Sequence, residues 1–535
     1  MIVAMSLFAR RKFSASHSKS SLLIFVAILG WIAIPIILGA AVLIGSRSAP
    51  KPEPHGRTPD NDVRLDIPSP QTSDLRTLSC STSNCHGALA ANPQESAIRS
   101  DEYFVWLNDP HAQAFRALSG ERSRTIFQRL GVTDVQSKPL PGQADNFHRH
   151  WTNCLACHET SHQMATTSAT AGHSVMRGEG VSCESCHGPA RDWLHLHYQP
   201  EWKESVSEGR KRELGFVSGH DLPAQVKQCA DCHVGSSSGG EVDHSLIAAG
   251  HPALRFEYVW YLSRLPKHWK PGRREAHARQ TAQAIDPPPP ASDENSMREW
   301  LIGQLVTTIA SMEQLERRVA RGGPHAPEPE FAEYNCFACH HSLRGMSWRR
   351  DRGIPGLASV GERRSRLTVS WGNWNLDLIP ILADQHGSPH SREFSAAFSR
   401  LREALQASPA PAKSELLSHS ETARRHAQGW LTEVARLSNR DAGEILQQVG
   451  LRQPEQLISS WDQTANILLG FAAPYHASEA TPEALRVAMN RVRFPYDPTI
   501  IDSPAQFRST EGEPTFTAAE WVDLLRKLAN LRAEH

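Results

Sequence analysis

What the chain lacks narrows its function before any motif is read. It has no surplus of charge: 57 Lys and Arg stand against 57 Asp and Glu. A dedicated nucleic-acid binder would show a basic excess, so nucleic acid is not an expected partner. It has no odd cysteine, because all ten fall into five close pairs. It has a single long apolar run, and nothing later is long and apolar enough to span a membrane again. It does not have the low hydrophobicity of a disordered chain: 39% of residues are hydrophobic, with 14 Trp and 17 Phe, enough to bury a core. The 535 residues leave room for two to four domains.

The apolar run is Leu22 to Gly45, 24 residues without a charge. At about 1.5 Å per residue, a helix of this length crosses a hydrocarbon core of roughly 30 Å. Pro35 within it is tolerable in a membrane helix. Arg10, Arg11, Lys12 and Lys19 precede the run, and Arg47 and Lys51 follow it. The larger basic cluster keeps residues 1–21 in the cytoplasm. The alternative is a cleaved signal peptide, whose apolar core is shorter. Residues 46–75 hold six prolines and few large apolar side chains, as an extended linker does. The expectation is therefore a single-pass protein of the cytoplasmic membrane. Its N-terminus lies inside, residues 22–45 form the anchor, and the bulk of the chain lies on the exported, periplasmic side.

Each cysteine pair is followed at once by a histidine. Four pairs are CxxCH: Cys154-Cys157-His158, Cys183-Cys186-His187, Cys229-Cys232-His233 and Cys336-Cys339-His340. The fifth is a CxxxxCH, Cys80 and Cys85 with His86. CxxCH is the attachment sequence for c-type haem. Two thiols on one short turn can bond to the two vinyl groups of a single haem, and the next residue then sits under the iron as an imidazole ligand. A lone CxxCH could be half a zinc site or a redox dithiol. Zinc sites, however, need pairs of pairs, and a disulfide framework would not place histidine after every second cysteine. The wide motif has its own alternative, a Cys80–Cys85 disulfide with His86 incidental. The expected cofactor is haem c, five copies, or four if the wide motif fails.

The sixth position of each iron is filled by a protein ligand or left open. Residues 76–345 contain 19 of the 27 histidines, 14 beyond the proximal five. Met164 and Met176 lie among the first four motifs, and the same 76–345 segment holds two more methionines, Met297 and Met312, in the long gap before the last motif, four against 14. Histidine on both sides of the iron is therefore expected, with low potentials, since methionine ligation raises them. The candidate distal ligands are His111, His173, His197, His244 and His251. His148, His150, His162, His220 and His341 are reserves.

The string Glu179-Gly180-Val181-Ser182-Cys183-Glu184-Ser185-Cys186-His187-Gly188-Pro189-Ala190 resembles the central motif of bacterial multihaem cytochromes c of the tetrahaem cytochrome and hydroxylamine oxidoreductase class. The segment from Asp109-Pro110-His111 through Gly250-His251-Pro252 to Cys339-His340-His341 is similar in order and spacing. The resemblance spans residues 76–345. It implies a mostly helical, loop-rich fold wrapped around closely packed haems, some with bis-histidine and some with open irons. The wide first motif, the anchor and the long C-terminal region depart from the pattern.

The expected fold class is mainly α: a loop-rich multihaem cytochrome c domain over 76–345 and a C-terminal helical domain over 346–535, with one N-terminal transmembrane helix. Residues 297–321 read as a helix, with Leu301, Leu305, Ile309, Met312 and Leu315 at helical spacing, expected to pack against the haem core. Segments 393–407, 412–437, 440–450, 453–471, 481–492 and 517–534 read as further helices, and Thr517 to Glu520 as a capping box. Trp371, Trp374 and Trp430 are expected in the core. Five haems in about 270 residues cannot be insulated from one another, so the leading expectation is an electron carrier that serves redox partner proteins. The alternative is an oxidoreductase acting on a small nitrogen or sulfur compound at one open iron, with His148, Arg149, His150 and His162 as acid–base groups. A third possibility is a sensor or structural subunit of a larger membrane complex. No tyrosine cross-link or CxxCK motif is visible.

Overall fold

Helical geometry shapes the cysteine-bearing half. In a CxxCH segment the two cysteines and the histidine stand at i, i+3 and i+4, so on an α-helix all three share one face. In the computed structural model α1 (Ala144–His158) and α3 (Leu222–His233) end on their histidines, and α2 (Cys183–His187) is the motif itself. The wide motif reaches a similar closure by a turn. One helical turn, Thr77–Cys80, ends on the first cysteine. The Cys85 and Gly87 amides then donate to the Thr82 carbonyl at 2.9 and 3.0 Å, and the His86 amide donates to the Cys80 carbonyl at 3.2 Å. In a regular helix the amide four residues on takes that carbonyl, and in CxxCH that amide is the histidine's. The wide loop recovers the same pairing over a longer span.

The structure describes residues 77–93, 100–132, 144–160, 178–219, 221–235, 240–269, 296–321, 330–334, 371–406, 411–458, 461–475, 481–492 and 518–531. All belong to one compact unit, Asp62–His535. Among them there is no strand; isolated bridges join Tyr334 to Trp371 and Gly372. The protein is mainly α, as expected. No helix among the described residues is long and apolar enough to cross a membrane. The Leu22–Gly45 run, the linker and Thr517 lie outside them.

Between the motif helices, short helices start on acidic caps. The side chains of Asp221, Asp243 and Glu257 accept amide hydrogens at the starts of α3, of α4 (His244–Ala249) and of α5 (Tyr258–Arg264). Each satisfies a donor that the first turn leaves unpaired. Pro223 fits the first turn of α3 because its missing N–H is not needed there.

The centre of the molecule is α6 (Ser296–Arg321). The expected apolar stripe is present, but burial goes further: every residue from Trp300 to Met312 is buried. A helix enclosed on all sides is a core helix rather than a surface one. One side meets α3 through Ala310 against Ala230 and Val234. The rest joins the large apolar core of the C-terminal half, and Met297 and Met312 are fully buried in it. The helix expected to pack on the haem core thus joins the cysteine-bearing half to the C-terminal helices.

Those helices are α7 (Ile379–His386), α8 (Pro389–Gln406), α9 (Lys413–Val434), α10 (Asn439–Arg452), α11 (Trp461–Ala472), α12 (Glu483–Val492) and α13 (Ala518–Leu531). A single turn, Pro454–Leu457, precedes α11. Trp371, Trp374 and Trp430 are buried at 0, 3 and 0% exposure, so they are core residues as expected. The helix α7 was not anticipated. Its eight residues follow two tryptophans and an asparagine-rich turn, too short for a clear period. A capping box sits at Ser438 and Asp441 at the start of α10.

Paired polar groups cross the interior. Gln304 and Asn466 exchange two amide hydrogen bonds of 2.9 Å, and Asn466 also donates to the Trp374 carbonyl at 3.1 Å. Arg255, in the cysteine-bearing half, donates to Asp462 of α11 at 3.3 Å, with both side chains buried. Removing one partner of a buried pair leaves an uncompensated charge. Arg255→Ala is therefore expected to destabilise the protein by about 3–5 kcal/mol, whereas replacing both residues with apolar ones of similar volume costs far less. Thermal or denaturant unfolding of the two variants measures the difference.

Candidate functional site: the cysteine and histidine cluster

The glycine-flanked segment around α2 is the hub of the cysteine-bearing half. Gly180 (φ +75°) and Gly188 (φ +80°) sit on either side in the left-handed region. A Cβ at Gly180 would stand 2.6 Å from the His111 carbonyl oxygen, and one at Gly188 would stand 1.9 Å from that of Gly215. Glycine is required at both positions on conformation and on space. Between them the backbone is tied in from several directions. The Val181 amide donates to the His111 carbonyl (2.9 Å), the Ser182 amide to the Thr160 hydroxyl (2.7 Å), and the Trp106 indole to the Val181 carbonyl (2.9 Å). Glu184 accepts the Ala190 amide at 2.7 Å, and Glu179 accepts both the amide and the hydroxyl of Thr77 at 3.0 and 2.9 Å. The string that stood out in the sequence is thus the junction where the other motif segments meet.

The motifs converge there. All eight described cysteines are free of disulfides, so Cys80 and Cys85 are not bonded to each other. The Cys80 thiol lies beside that of Cys183. The Cys157 thiol lies 3.9 Å from the Cys232 carbonyl oxygen, and Cys186 lies close to Cys229 and Cys232. The first motif therefore neighbours the third, the third the fourth, and the fourth the second. Burial pushes the Cys154 thiol up to about 11, which keeps it a neutral thiol.

Five imidazoles in this region have one nitrogen committed. Nδ1 lies 3.2 Å from Glu102 in His86, 2.9 Å from Asp109 in His111, and 2.8 Å from the Ala114 carbonyl in His158. In His197 it is 2.6 Å from the Leu194 carbonyl, and in His251 2.8 Å from that of Pro252. Carboxylates and carbonyls only accept, so Nδ1 donates and Nε2 keeps its lone pair. Metal-bound histidines are held in this way. Burial pushes His187 down to about 4, His233 to about 3 and His251 to about 4. All three stay neutral, as a ligand must be. Only His86 is held up, by its hydrogen bond to Glu102.

The rings also pair. Ring centroids are 6.3 Å apart for His86 and His197, 6.1 Å for His111 and His233, and 6.2 Å for His187 and His268. A metal–imidazole bond of about 2.0 Å, with the ring centre roughly 1.1 Å behind its nitrogen, sets two imidazoles on opposite sides of one metal about 6 Å apart. Each pair contains one histidine from a cysteine motif and one from elsewhere. His187 and His233 lie deep among protein atoms, yet each keeps part of its surface accessible. The residues therefore fit a flat, covalently attached iron porphyrin.

Of the expected distal ligands, His111 and His197 stand opposite motif histidines. His158 lies near enough to His251 to lower the pKa of His251 further, after burial. The His244 amide donates to Glu330 at 2.8 Å, and its ring packs on Phe331, 5.7 Å between centroids. His173, Cys336, Cys339, His340, His162, His220 and His341 lie outside the described residues, as does the side chain of His148. His268 was missed. It follows an aromatic-rich stretch, in Pro266-Lys267-His268-Trp269, far in sequence from His187, and no local pattern marks it. Among the acid–base candidates, burial and the neighbouring Arg149 lower the pKa of His150. Gly188→Ala would push the chain after His187 off the Gly215 carbonyl. It is expected to lower thermal stability and cut the yield of protein with a bound chromophore, read by the visible absorbance per chain.

Residues 79–188 match the family model described as cytochrome c554 and c-prime. The match begins beside Cys80 and ends just past His187, so it takes in the wide motif and the two motifs after it. No curated protein and no solved structure matches the chain. The family match supports a c-type cytochrome with an electron-transfer role, and haem c as its cofactor.

Proposed function

We propose that this protein is a membrane-anchored cytochrome c of the multihaem class that carries five haems and transfers electrons on the exported side of the cytoplasmic membrane. Haem c supplies reversible one-electron chemistry at its iron. The five cysteine pairs are the attachment points: Cys80/Cys85, Cys154/Cys157, Cys183/Cys186, Cys229/Cys232 and Cys336/Cys339. His86, His158, His187, His233 and His340 are the proximal ligands. The distal partners are His197 for His86, His251 for His158, His268 for His187 and His111 for His233. His244 is assigned to His340, because Phe331 and Glu330, which it touches, lie shortly before Cys336.

The observation that carries this reading is the set of three imidazole pairs 6.1–6.3 Å apart, each made of a motif histidine and a second histidine. The hydrogen bonds at Nδ1 orient the rings and raise their basicity as ligands. The contacts between motifs order the attachment sites as first, third, fourth, second. That order differs from the sequence and makes one continuous path for an electron. The anchor at 22–45 and the linker at 46–75 would hold this path near the membrane surface, within reach of redox partner proteins.

Low-temperature electron paramagnetic resonance of the oxidised full chain tests the assignment. The wild type is expected to show low-spin ferric haem throughout. His268→Ala is expected to convert one haem per chain to high spin and leave the others unchanged. A high-spin haem in the wild type that shifts with nitrite, hydroxylamine or cyanide would replace the carrier reading with that of an enzyme.

A further inference from the structure

The C-terminal helices carry no cysteine, and the haem reading leaves their histidines unused. Two of these converge on one carboxylate. His390 and Glu393 stand three residues apart in α8, on one face of the helix, and His426 reaches across from α9. Glu393 Oε2 lies 2.9 Å from His426 Nδ1 and 3.9 Å from His390 Nδ1. One ligand atom from each residue lies within 4.8 Å of the other two.

The backbone of α9 is shaped to seat the His390 ring. A Cβ at Gly429 would stand 2.6 Å from His390 Nδ1 and 2.7 Å from both Cε1 and Cγ. Glycine inside a helix is less favourable than alanine, and here the bare Cα lets the imidazole lie against the helix. His390 Nδ1 is buried and has no hydrogen-bond partner among the described residues. A buried polar nitrogen left unsatisfied is destabilising, and a ligand on it removes that cost. The neighbouring polar groups are occupied. His386 Nδ1 accepts the Trp430 indole hydrogen at 2.8 Å, and Glu433 accepts the Ser388 hydroxyl at 2.5 Å.

We propose that His390, Glu393 and His426 form a binding site for a divalent transition metal of the zinc class. Two imidazoles and one carboxylate are a zinc donor set, unlike the all-oxygen sets of calcium and magnesium. With bonds of about 2.1 Å, a tetrahedral ion separates its ligand atoms by roughly 3.4 Å, and the two distances to Glu393 fall on either side of that value. Three protein ligands leave a fourth position for water. The ion would join α8 to α9 at the edge of the core, and because the unfolded chain does not form the site, binding would stabilise the fold.

The test is a zinc titration of the chelator-treated full-length holoprotein by calorimetry, with unfolding followed in parallel. One tight Zn²⁺ per chain is expected, with a raised unfolding midpoint. His426→Gln and Glu393→Gln, both at partly exposed positions, should each weaken zinc binding tenfold or more and remove the stabilisation. Circular dichroism and the haem absorbance should match the wild type in the absence of zinc. Absence of a tight zinc ion in the wild type, or unchanged affinity in both variants, would overturn the proposal.

Discussion

An imidazole has two nitrogens, and the arrangement of the cysteine-bearing half depends on how one of them is spent. His86, His111, His158, His197 and His251 each give Nδ1 to an oxygen. That bond fixes the ring and leaves one nitrogen for a metal. The acceptors come from different levels of structure. Asp109 caps the turn that carries His111, Glu102 begins a short helix, and the others are backbone carbonyls. The loops are therefore not filler between helices. They supply the oxygens that orient the rings, and they can do so only because the glycines beside α2 let segments far apart in sequence approach one another.

The second organising feature is α6. A cluster built around a large prosthetic group has little apolar core of its own: the buried clusters of residues 112–249 are small and separate. The main core begins at α3 and α5 and runs through α6 into the C-terminal helices. Val226 of α3 belongs to that core, and Arg255 is paired with Asp462 across it. A motif helix is thus braced by a rigid body. This gives the C-terminal helices a physical task whatever partners they meet: they hold the Cys229–His233 motif in register with its neighbours.

Much of this could be read from the chain. The cysteine pairs, the trailing histidines and the helices after residue 389 follow from spacing and period, both of which are local. The buried tryptophans follow from burial statistics. Distal histidines do not, because a ligand from the far side of an iron can come from anywhere in the chain. His111 and His197, named from the chain, lie beside motif histidines, while His268 had no signal of its own and emerged only from the ring-to-ring distance to His187. The role of α6 was half legible. Its stripe predicted a buried face, but thirteen consecutive buried residues from Trp300 to Met312 are a property of the assembled core. The glycines beside α2 could be seen as part of a motif, but the carbonyls that exclude a Cβ come from elsewhere in the chain.

The central claim is that every cysteine pair, the wide one included, holds a haem. The most direct measurement is the intact mass of the mature chain with a pyridine-haemochrome count, followed by mass spectrometry of the peptide containing Cys80 and Cys85. The account expects five covalent haems per chain, one of them on that peptide. Free thiols or a disulfide on the Cys80–Cys85 peptide, with four haems elsewhere, would contradict the fifth site, and a chain without covalent haem would contradict the account as a whole.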